Sequence, residues 1–380
     1  MKVPELALFR FFELQNEKTR ERMSKQFERL ASGKRFLNPS ENPYDAYQVL
    51  ELKKEIAKIS QFSRNRLFSD NALSHADTIL AGIEDKLREL YARTIRGANQ
   101  LLKQEELKAI SEEFSQALKI LVNQANEKFG NNYLFSGDKL TTKPFDETTY
   151  DYNGSQNDYE VVLEESLRAK TFFAGSEVFG IRVNLFVYDI EIEGFDNNPN
   201  NDDVSFTINS TTISGDNLEE LLSKIRDGFG DSLRFYTYTK NGRVVIRLVS
   251  GSPLTVFAGS NTSVNSFDLS NIDNVFKAVN YVKEKLSQGI VLGFEDIYLM
   301  EKSLNAVSFA RAKIGSVLRE VRDLQNYYEE KSLFLEKRES ELSDLDMAKG
   351  ISGYEKIRLT YEALMKLFSS NRELAILKYL

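Results

Sequence analysis

Apolar residues recur at alternating intervals of three and four along both ends of this chain, which is the spacing of an α-helical seam. From Tyr354 to Leu380 the seam consists of Tyr354, Ile357, Tyr361, Leu364, Phe368, Asn371 and Ala375. Further apolar residues, including Leu374, lie off this seam. The predicted last helix is therefore apolar on more than one face, and it needs more than one partner surface to leave water.

A similar pattern predicts a first helix from Leu6 to Ala31. Its seam consists of Phe9, Phe12, Asn16, Thr19, Met23, Gln26 and Leu30. The Ser32-Gly33 pair predicts where this helix ends, because glycine commonly follows a helix C-terminus. The segment Asn38-Pro-Ser-Glu-Asn-Pro43 then combines two prolines with helix-capping residues, and it predicts a loop that leads into the next helix.

Long helices are predicted on both sides of the middle region. An unbroken helix from Asp45 to about Gln100 would span roughly 80 Å, and such a rod is expected to pack as a coiled coil. A third helix is predicted from Glu105 to Phe129. Helical spacing returns at Asn274, and one seam holds from Ile297 to Val321. The simplest packing places this returning rod antiparallel to the first.

The middle of the chain changes to the alternation that is typical of half-buried β-strands. Val183–Ile192 and Val204–Ile208 alternate, and Lys240-Asn241-Gly242 is a strong hairpin signal between two further alternating segments. We predict an α+β multidomain fold, in which both chain ends form a long antiparallel coiled-coil helical rod with an inserted mostly-β domain. The predicted divisions are an N-terminal helix and turn (1–44), rod helices (45–137), the β-rich insertion (138–272), returning rod helices (273–340) and a C-terminal helix (341–380).

Composition narrows the possible functions. The net charge of −7 argues against nucleic acid as the main partner. Residues 138–272 carry 21 acidic and 11 basic residues, whereas the two ends together carry 36 and 39. The absence of cysteine excludes disulfides and thiolate sites. No segment approaches the ~20 apolar residues of a membrane span. Glu5 and Arg10 interrupt the first apolar residues, so no cleaved signal peptide is expected.

Candidate chemistry is sparse. His75 is the single histidine, which excludes a two-histidine metal site or a histidine-based triad within one chain and favours a surface or interface role. The loop 196–203 offers many oxygen atoms but lacks the glycine and glutamate of an EF-hand, so a solvated loop is favoured over a calcium site. Glu341, Asp344 and Asp346 are expected to cap the following helix. We predict no catalytic, cofactor-binding or metal-binding residues.

Several motifs in chain order resemble the bacterial flagellin family, and in particular its members at the junction between hook and filament. They are the turn after the first helix, the exit from the rod, a Val178-Phe-Gly180 segment, the acidic turn Glu341–Asp346, and Ile208–Ser214, which is similar to a small module of flagellar axial proteins near 204–258. The motif residues in the first two are Asn38, Pro39, Ser40 and Pro43, and Tyr133, Leu134, Phe135 and Gly137. The resemblance covers about residues 1–180 and 273–380.

This resemblance implies a non-enzymatic, extracellular structural subunit that is exported through the flagellar type III channel. The terminal helices would be poorly ordered in the monomer and would fold when subunits stack. The implied partners are copies of the chain in a ring, a neighbouring hook-associated protein, flagellin, and an export chaperone on the C-terminal helix. The residues expected in subunit assembly are Phe9, Phe12, Met23, Leu30, Tyr354, Ile357, Tyr361, Leu364, Phe368 and Leu374.

Two alternatives remain open from the sequence. The chain could be flagellin itself, the bulk subunit of the filament, although its Asn-Pro-Ser-Glu-Asn-Pro loop favours the junction. It could also be a secreted adhesin on a coiled-coil stalk, which would require a binding groove in the β-domain.

The seams from Leu73 to Leu90 and from Ile297 to Val321 are interpreted as intramolecular core.

Overall fold

The computed structural model describes residues 3–99, 101–194, 204–240 and 242–377. The helices are α1 (Val3–Ser32), α2 (Pro43–Gly97), α3 (Gln104–Ala125), α4 (Gly175–Val178), α5 (Leu218–Phe229), α6 (Val275–Ser287), α7 (Phe294–Ser343) and α8 (Met347–Leu377). The strands are β1 (Lys128–Phe129), β2 (Asn132–Tyr133), β3 (Tyr159–Val162), β4 (Arg168–Phe172), β5 (Phe186–Ile192), β6 (Val204–Ile208), β7 (Thr211–Gly215), β8 (Arg234–Lys240), β9 (Arg243–Ser250), β10 (Val256–Ala258) and β11 (Thr262–Asp268). The fold is α+β, as predicted.

The chain forms two compact units. The terminal unit consists of Met1–Arg64 and Leu324–Leu380, and the central unit consists of Asn65–Asp323. Helices α2 and α7 contribute residues to both units. The long helix predicted from Asp45 is therefore present as one continuous element.

The three-four seams form the helical core of the central unit. The buried seam residues of α2 are Leu73, Ala76, Leu80, Ile83, Leu87, Leu90, Thr94 and Gly97. Those of α7 are Met300, Val307, Ile314, Leu318 and Val321. The interpretation of these two seams as intramolecular core is confirmed.

Ion pairs along the seam show the direction of the two helices in this unit. Arg311 of α7 pairs with Asp77 and Glu84 of α2, at 3.0 and 3.1 Å. Eleven positions further along α7, Arg322 pairs with Asp70 at 2.6 Å. Because higher numbers on α7 meet lower numbers on α2, these segments run antiparallel.

An aromatic cluster lies between the helices and the first short strands of the central unit. Phe135, Phe145, Phe179 and Phe276 are fully buried, and their ring centroids lie 4.8 to 5.5 Å apart. Offset and edge-to-face pairs of this kind add stability beyond the burial of their area. This cluster joins the segment after α3 to the start of α6.

Two antiparallel sheets form the larger β-rich part. One has the strand order β11-β5-β9-β8 and the other β10-β6-β7. The apolar face of the four-stranded sheet packs with the other sheet and α5, in a core that includes Ile190, Ile246, Leu248 and Ile225. Its opposite face carries polar residues that are also buried, which the alternation of the strands alone does not predict.

The structure corrects the end of the third predicted helix. Helix α3 stops at Ala125, and Lys128–Phe129 instead pairs with Asn132–Tyr133. The side chain of Asn126 accepts a hydrogen bond from the backbone N–H of Phe145 and donates one to its carbonyl, at 2.9 and 3.0 Å. These two hydrogen bonds fix the chain in a non-helical path directly after α3.

The predicted acidic turn is shorter than expected. Glu341 lies within α7, and α8 begins at Met347 rather than at Tyr354. Asp346 accepts a hydrogen bond from the backbone N–H of Lys349 at 3.1 Å, so its predicted capping role is confirmed. The loop 196–203 and Asn241 lie outside the described residues.

None of the helices in the described ranges is long and apolar enough to cross a membrane. Within the same ranges, no group of three or more histidine or acidic side chains is arranged to hold a metal ion.

Gly137 and Gly130 provide a matched pair for testing the backbone of the central unit. Both have positive φ, +64° and +61°, but a Cβ at Gly137 would lie 2.3 Å from the carbonyl oxygen of Asn157, whereas Gly130 has open space. We expect Gly130→Ala to cost about 1 kcal/mol from backbone strain alone. Gly137→Ala should cost several kcal/mol more, measured by urea unfolding. Equal costs would show that the close approach does not matter.

Candidate assembly surface

Helices α1 and α8 pack against each other in the terminal unit through aromatic side chains. Phe12 and Phe368 meet edge to face with ring centroids 6.4 Å apart. Phe27 and Tyr354 form a second contact at 6.3 Å. The seams predicted at the two ends of the chain therefore meet within one monomer.

Polar contacts support the same helix pair. Arg20 Nε donates a hydrogen bond to Tyr361 Oη at 3.2 Å, and its guanidinium lies 5.8 Å from the centre of that ring. Gln26 donates to the carbonyl of Gly350 at 3.1 Å. A Cβ at Gly350 would lie 2.9 Å from Leu30, so Leu30 packs directly against the backbone of α8.

The turns that follow α1 and precede α8 are tied together. The backbone N–H of Arg35 donates to the Ser343 carbonyl, and that of Leu345 donates to the Gly33 carbonyl, both at 2.8 Å. Lys34 Nζ lies 2.6 Å from Asp344 Oδ1. The hydrogen bond from Lys34 lowers the pKa of Asp344 to about 2.

The proline-rich loop is held at the end of α1. Glu41 accepts hydrogen bonds from Arg29 Nη2 at 3.0 Å and from the backbone N–H of Leu37 at 3.2 Å. Pro39–Glu41 forms one turn of 3-10 helix. Asn42 interacts with Asp45 in the first turn of α2. The loop motif thus fixes the chain between two helices.

The terminal unit has very little core of its own. Among its described side chains, the fully buried apolar residues are Val49, Ile59 and Leu335, each 6 to 7 % exposed. A unit of this size normally buries many more apolar side chains. The large apolar side chains that remain exposed in it are Phe11, Leu14, Phe27, Tyr44, Tyr47, Leu50, Tyr327, Leu333, Phe334, Met347, Ile351, Leu359, Met365 and Leu367.

These exposed side chains define what we call the apolar surface of the terminal unit. Apolar exposure on this scale marks an interaction site in a folded protein. Its members on α2 and α7, such as Tyr44, Leu333 and Phe334, were missed in the sequence. They lie off the three-four seams, and the sequence signal that could have found them is the presence of large apolar residues on a second face.

Most of the predicted assembly residues have side chains that the structure describes. The ones whose side chains are described are all partly buried in the monomer: Phe12, Met23, Leu30, Tyr354, Ile357, Tyr361, Leu364 and Phe368. The side chains of Phe9 and Leu374 lie outside the described residues. Phe12, Leu30, Tyr354, Tyr361 and Phe368 make contacts between α1 and α8. Their role in subunit assembly stays a prediction.

The Tyr133–Gly137 motif belongs to the core of the central unit. Leu134 and Phe135 are buried, and Gly137 donates its N–H to the Phe173 carbonyl at 3.0 Å. Tyr133 is half-buried with Lys128 Nζ 4.5 Å from its ring centre. His75 is also half-buried, with its ring 6.3 Å from that of Phe129. These residues shape the fold, and their contacts lie inside the unit.

The helical beginning of this chain matches a family model. Residues 12–139 match the model of the bacterial flagellin N-terminal helical region, which confirms the resemblance to the flagellins. About a third of the chain is therefore similar to the flagellins.

The chain is similar to flagellar hook-associated protein 3. It is 24% identical over 197 residues to that of Salmonella typhimurium, over 51% of this chain and 62% of that protein. It is 26% identical over 153 residues to that of Escherichia coli, over 40% of this chain and 48% of that protein. The matches thus span about half to three fifths of the length of these curated relatives.

Solved structures support the fold. A crystal structure of FlgL from Xanthomonas campestris has a TM-score of 0.52 and 18% identity, over 76% of this chain and 99% of that one. Flagellar hook-associated protein 3 from Legionella pneumophila has a TM-score of 0.53 and 21% identity, over 77% and 99%. At these identities, the likeness establishes shared architecture.

The Lys34–Asp344 pair gives the turns of the terminal unit a defined response to acid. Because the folded pKa of Asp344 is below its ordinary value, its contribution is present near neutral pH and is lost as pH falls from about 4 toward 2. Both side chains are 43% exposed, so Asp344→Asn should cost no more than about 1 kcal/mol. Hydrogen exchange at the amides of Arg35 and Leu345 measures this loss.

The control is a comparison of wild type and Asp344→Asn at two pH values. Wild type should lose protection at these two amides between pH 4 and pH 2, whereas Asp344→Asn should already show the lower protection at pH 4. An unchanged acid response in Asp344→Asn would assign the response to another group.

Proposed function

We propose that this chain is a non-enzymatic structural subunit of the bacterial flagellum that joins the hook to the filament. The observation that carries the proposal is the terminal unit, whose paired end helices leave a large apolar surface exposed and bury few apolar residues. A surface of this kind is satisfied when neighbouring subunits cover it. The similarity to proteins named hook-associated protein 3 supports the junction rather than the bulk filament.

In this proposal, the two terminal helices form the inner wall of a tube and the long helices form a coiled-coil rod outside them. The acidic β-rich insertion faces solvent. The antiparallel ion pairs between α2 and α7 support the rod, and the excess of acidic residues over basic ones in 138–272 supports solvent exposure of the insertion. Contacts that repeat from head to tail between subunits build rings or helical arrays.

The proposed partners follow from a position between two assemblies. Copies of the chain would form a ring, with another hook-associated protein on one side and flagellin on the other. An export chaperone would cover the C-terminal helix before assembly, since the apolar residues of α8 would otherwise be exposed. The chain would be exported through the flagellum without a cleaved signal peptide.

Immunoelectron microscopy of flagella from the source organism tests the location. With an antibody against residues 138–272, we expect gold in one band where the curved hook meets the filament. Label along the whole filament would make the chain a flagellin. Label away from the flagellum would reject the proposal and favour the stalked adhesin.

Substitutions on the apolar surface test the assembly role. Leu333 and Phe334 are 67% and 62% exposed, so Leu333→Ser with Phe334→Ser should change monomer stability by about 0.5 kcal/mol or less. If neighbouring subunits cover these side chains, the double variant should fail to restore filaments to cells that lack the wild-type chain. The matched control is Lys337→Ser, an exposed polar position on the same helix, which should restore them. Normal filaments from the double variant would remove this part of the surface from the interface.

Limited proteolysis tests the proposed behaviour of the monomer. Because the terminal unit has a small core, cleavage of dilute monomer should be confined to about the first 40 and last 35 residues. The seams of the central unit should remain intact. Protection of both ends in dilute monomer would contradict the assembly account.

A further inference from the structure

A cluster of buried charges joins the four-stranded sheet to the corner between α6 and α7 in the central unit. It contains two cations, Arg247 and Lys285, and three acidic groups, Asp189, Glu295 and Asp296. All five side chains are 7% exposed or less. Charges at this depth are stable only when they are paired and hydrogen-bonded.

The sheet contributes one half of this cluster. Asp189 of β5 and Arg247 of β9 are directly opposite in the strand register, and they form two hydrogen bonds of 2.5 Å. Tyr238 of β8 donates to Asp189 at 2.9 Å. This pair is balanced in charge and is satisfied within the sheet.

The helix corner contributes the other half. Glu295 accepts hydrogen bonds from Lys285 at 2.8 Å, Tyr236 at 2.7 Å and Arg247 at 3.2 Å. Asp296 accepts from Lys285 and, at 2.7 Å, from the backbone N–H of Gly293. Glu295 thus accepts from two cations, Lys285 and Arg247, whereas Asp296 accepts from Lys285 only.

The sheet and the helix corner pack closely at this contact. A Cβ at Gly293 would lie 2.1 Å from Tyr236 Oη, so the tyrosine lies directly against the backbone of the corner. Ile290 packs with Tyr238 and Val245 beside it. The sheet and the corner therefore meet through an interface that depends on the balance of its charges.

That balance is incomplete when every carboxyl group is ionised, because three negative charges face two positive ones. The groups that act on Asp296 and its neighbours are Lys285 and Tyr281 of α6, Glu295 of α7, Asp189 of β5, Tyr236 and Tyr238 of β8, and Arg247 of β9. Glu295 Oε2 and Asp296 Oδ1 are both buried without a hydrogen-bond partner. Glu295 accepts from two cations, so the carboxyl group with the smaller share of positive charge is that of Asp296. One proton on this carboxyl group would bring the sum of the charges to zero.

We propose that this cluster is a one-proton clasp, in which protonation of Asp296 neutralises the interface and tightens the hold of the sheet on the α6–α7 corner. Lys285 and Arg247 pair with Glu295 and Asp189 beside it. Acid strengthens this contact, whereas acid removes the contribution of a surface carboxylate such as that of Asp344.

The pKa values agree with this assignment. Burial raises the pKa of Asp296 to about 6, against the attraction of Lys285. Burial also acts to raise the pKa of Glu295, but Lys285 and Arg247 overcome it and hold that pKa at about 2. A raised folded-state pKa means that the folded state binds the proton more tightly, so the contribution of Asp296 to stability grows as pH falls through 6. The contribution of Glu295 is lost only as pH falls from about 4.5 toward 2.

Hydrogen exchange of the full chain tests the clasp at the amides of β8, β9 and the first turn of α7. After correction for the intrinsic chemical rate, the opening constant should be about tenfold smaller at pH 5 than at pH 7.5. Asp296→Asn should show the smaller constant at both pH values, because its uncharged amide oxygen can still accept from Lys285 and Gly293. Glu295→Gln is the matched variant at the neighbouring position, and it should increase opening at both values.

Two results would overturn the proposal. One is an Asp296→Asn variant that opens more readily than wild type at pH 7.5, which would mean that the ionised carboxylate is required. The other is a carbon-13 carboxyl titration of wild-type Asp296 by NMR with a midpoint below pH 4.5. This titration needs no variant, so it decides the question even if a substitution prevents folding.

Discussion

Burial of a three-four apolar seam is the interaction on which this molecule depends. In the central unit, the seams of α2 and α7 bury mostly aliphatic residues, and antiparallel ion pairs flank them. The sheets and the aromatic cluster are attached to this helical base. In the terminal unit the same kind of seam pairs α1 with α8, but few side chains become fully buried. The contrast separates a unit with its own buried core from a unit that leaves many large apolar side chains exposed.

The sequence predicted the long helices well because their seams repeat over many turns. The length of α2 and the buried row from Leu73 to Leu90 both follow from spacing alone. The end of α3 was predicted less well, since the bonds that stop it come from Phe145, which is 19 residues further along the chain. Helix propensity, which depends on neighbouring residues, does not predict such a distant contact.

The apolar surface of the terminal unit and the clasp were harder to predict for a common reason. Alternation along β5 and β9 suggests that Asp189 and Arg247 face solvent, yet the α6–α7 corner covers them. On the helices, exposed residues such as Tyr44 and Phe334 are identical in type to core residues, and only the fold shows that nothing in their own unit covers them. In both cases, the deciding fact is which element lies over a face, and this is set by tertiary structure.

The tie between the two turns of the terminal unit also determines when that unit can form. Lys34 and Asp344 are 310 residues apart in the chain, and the backbone bonds beside them join the same two segments. Contacts at such a separation require the closure of a long loop. During synthesis, α1 is made first, the central unit is completed next, and α8 is made after both. The amino-terminal helix must therefore wait for the end of the chain, and it spends that interval with its apolar side uncovered.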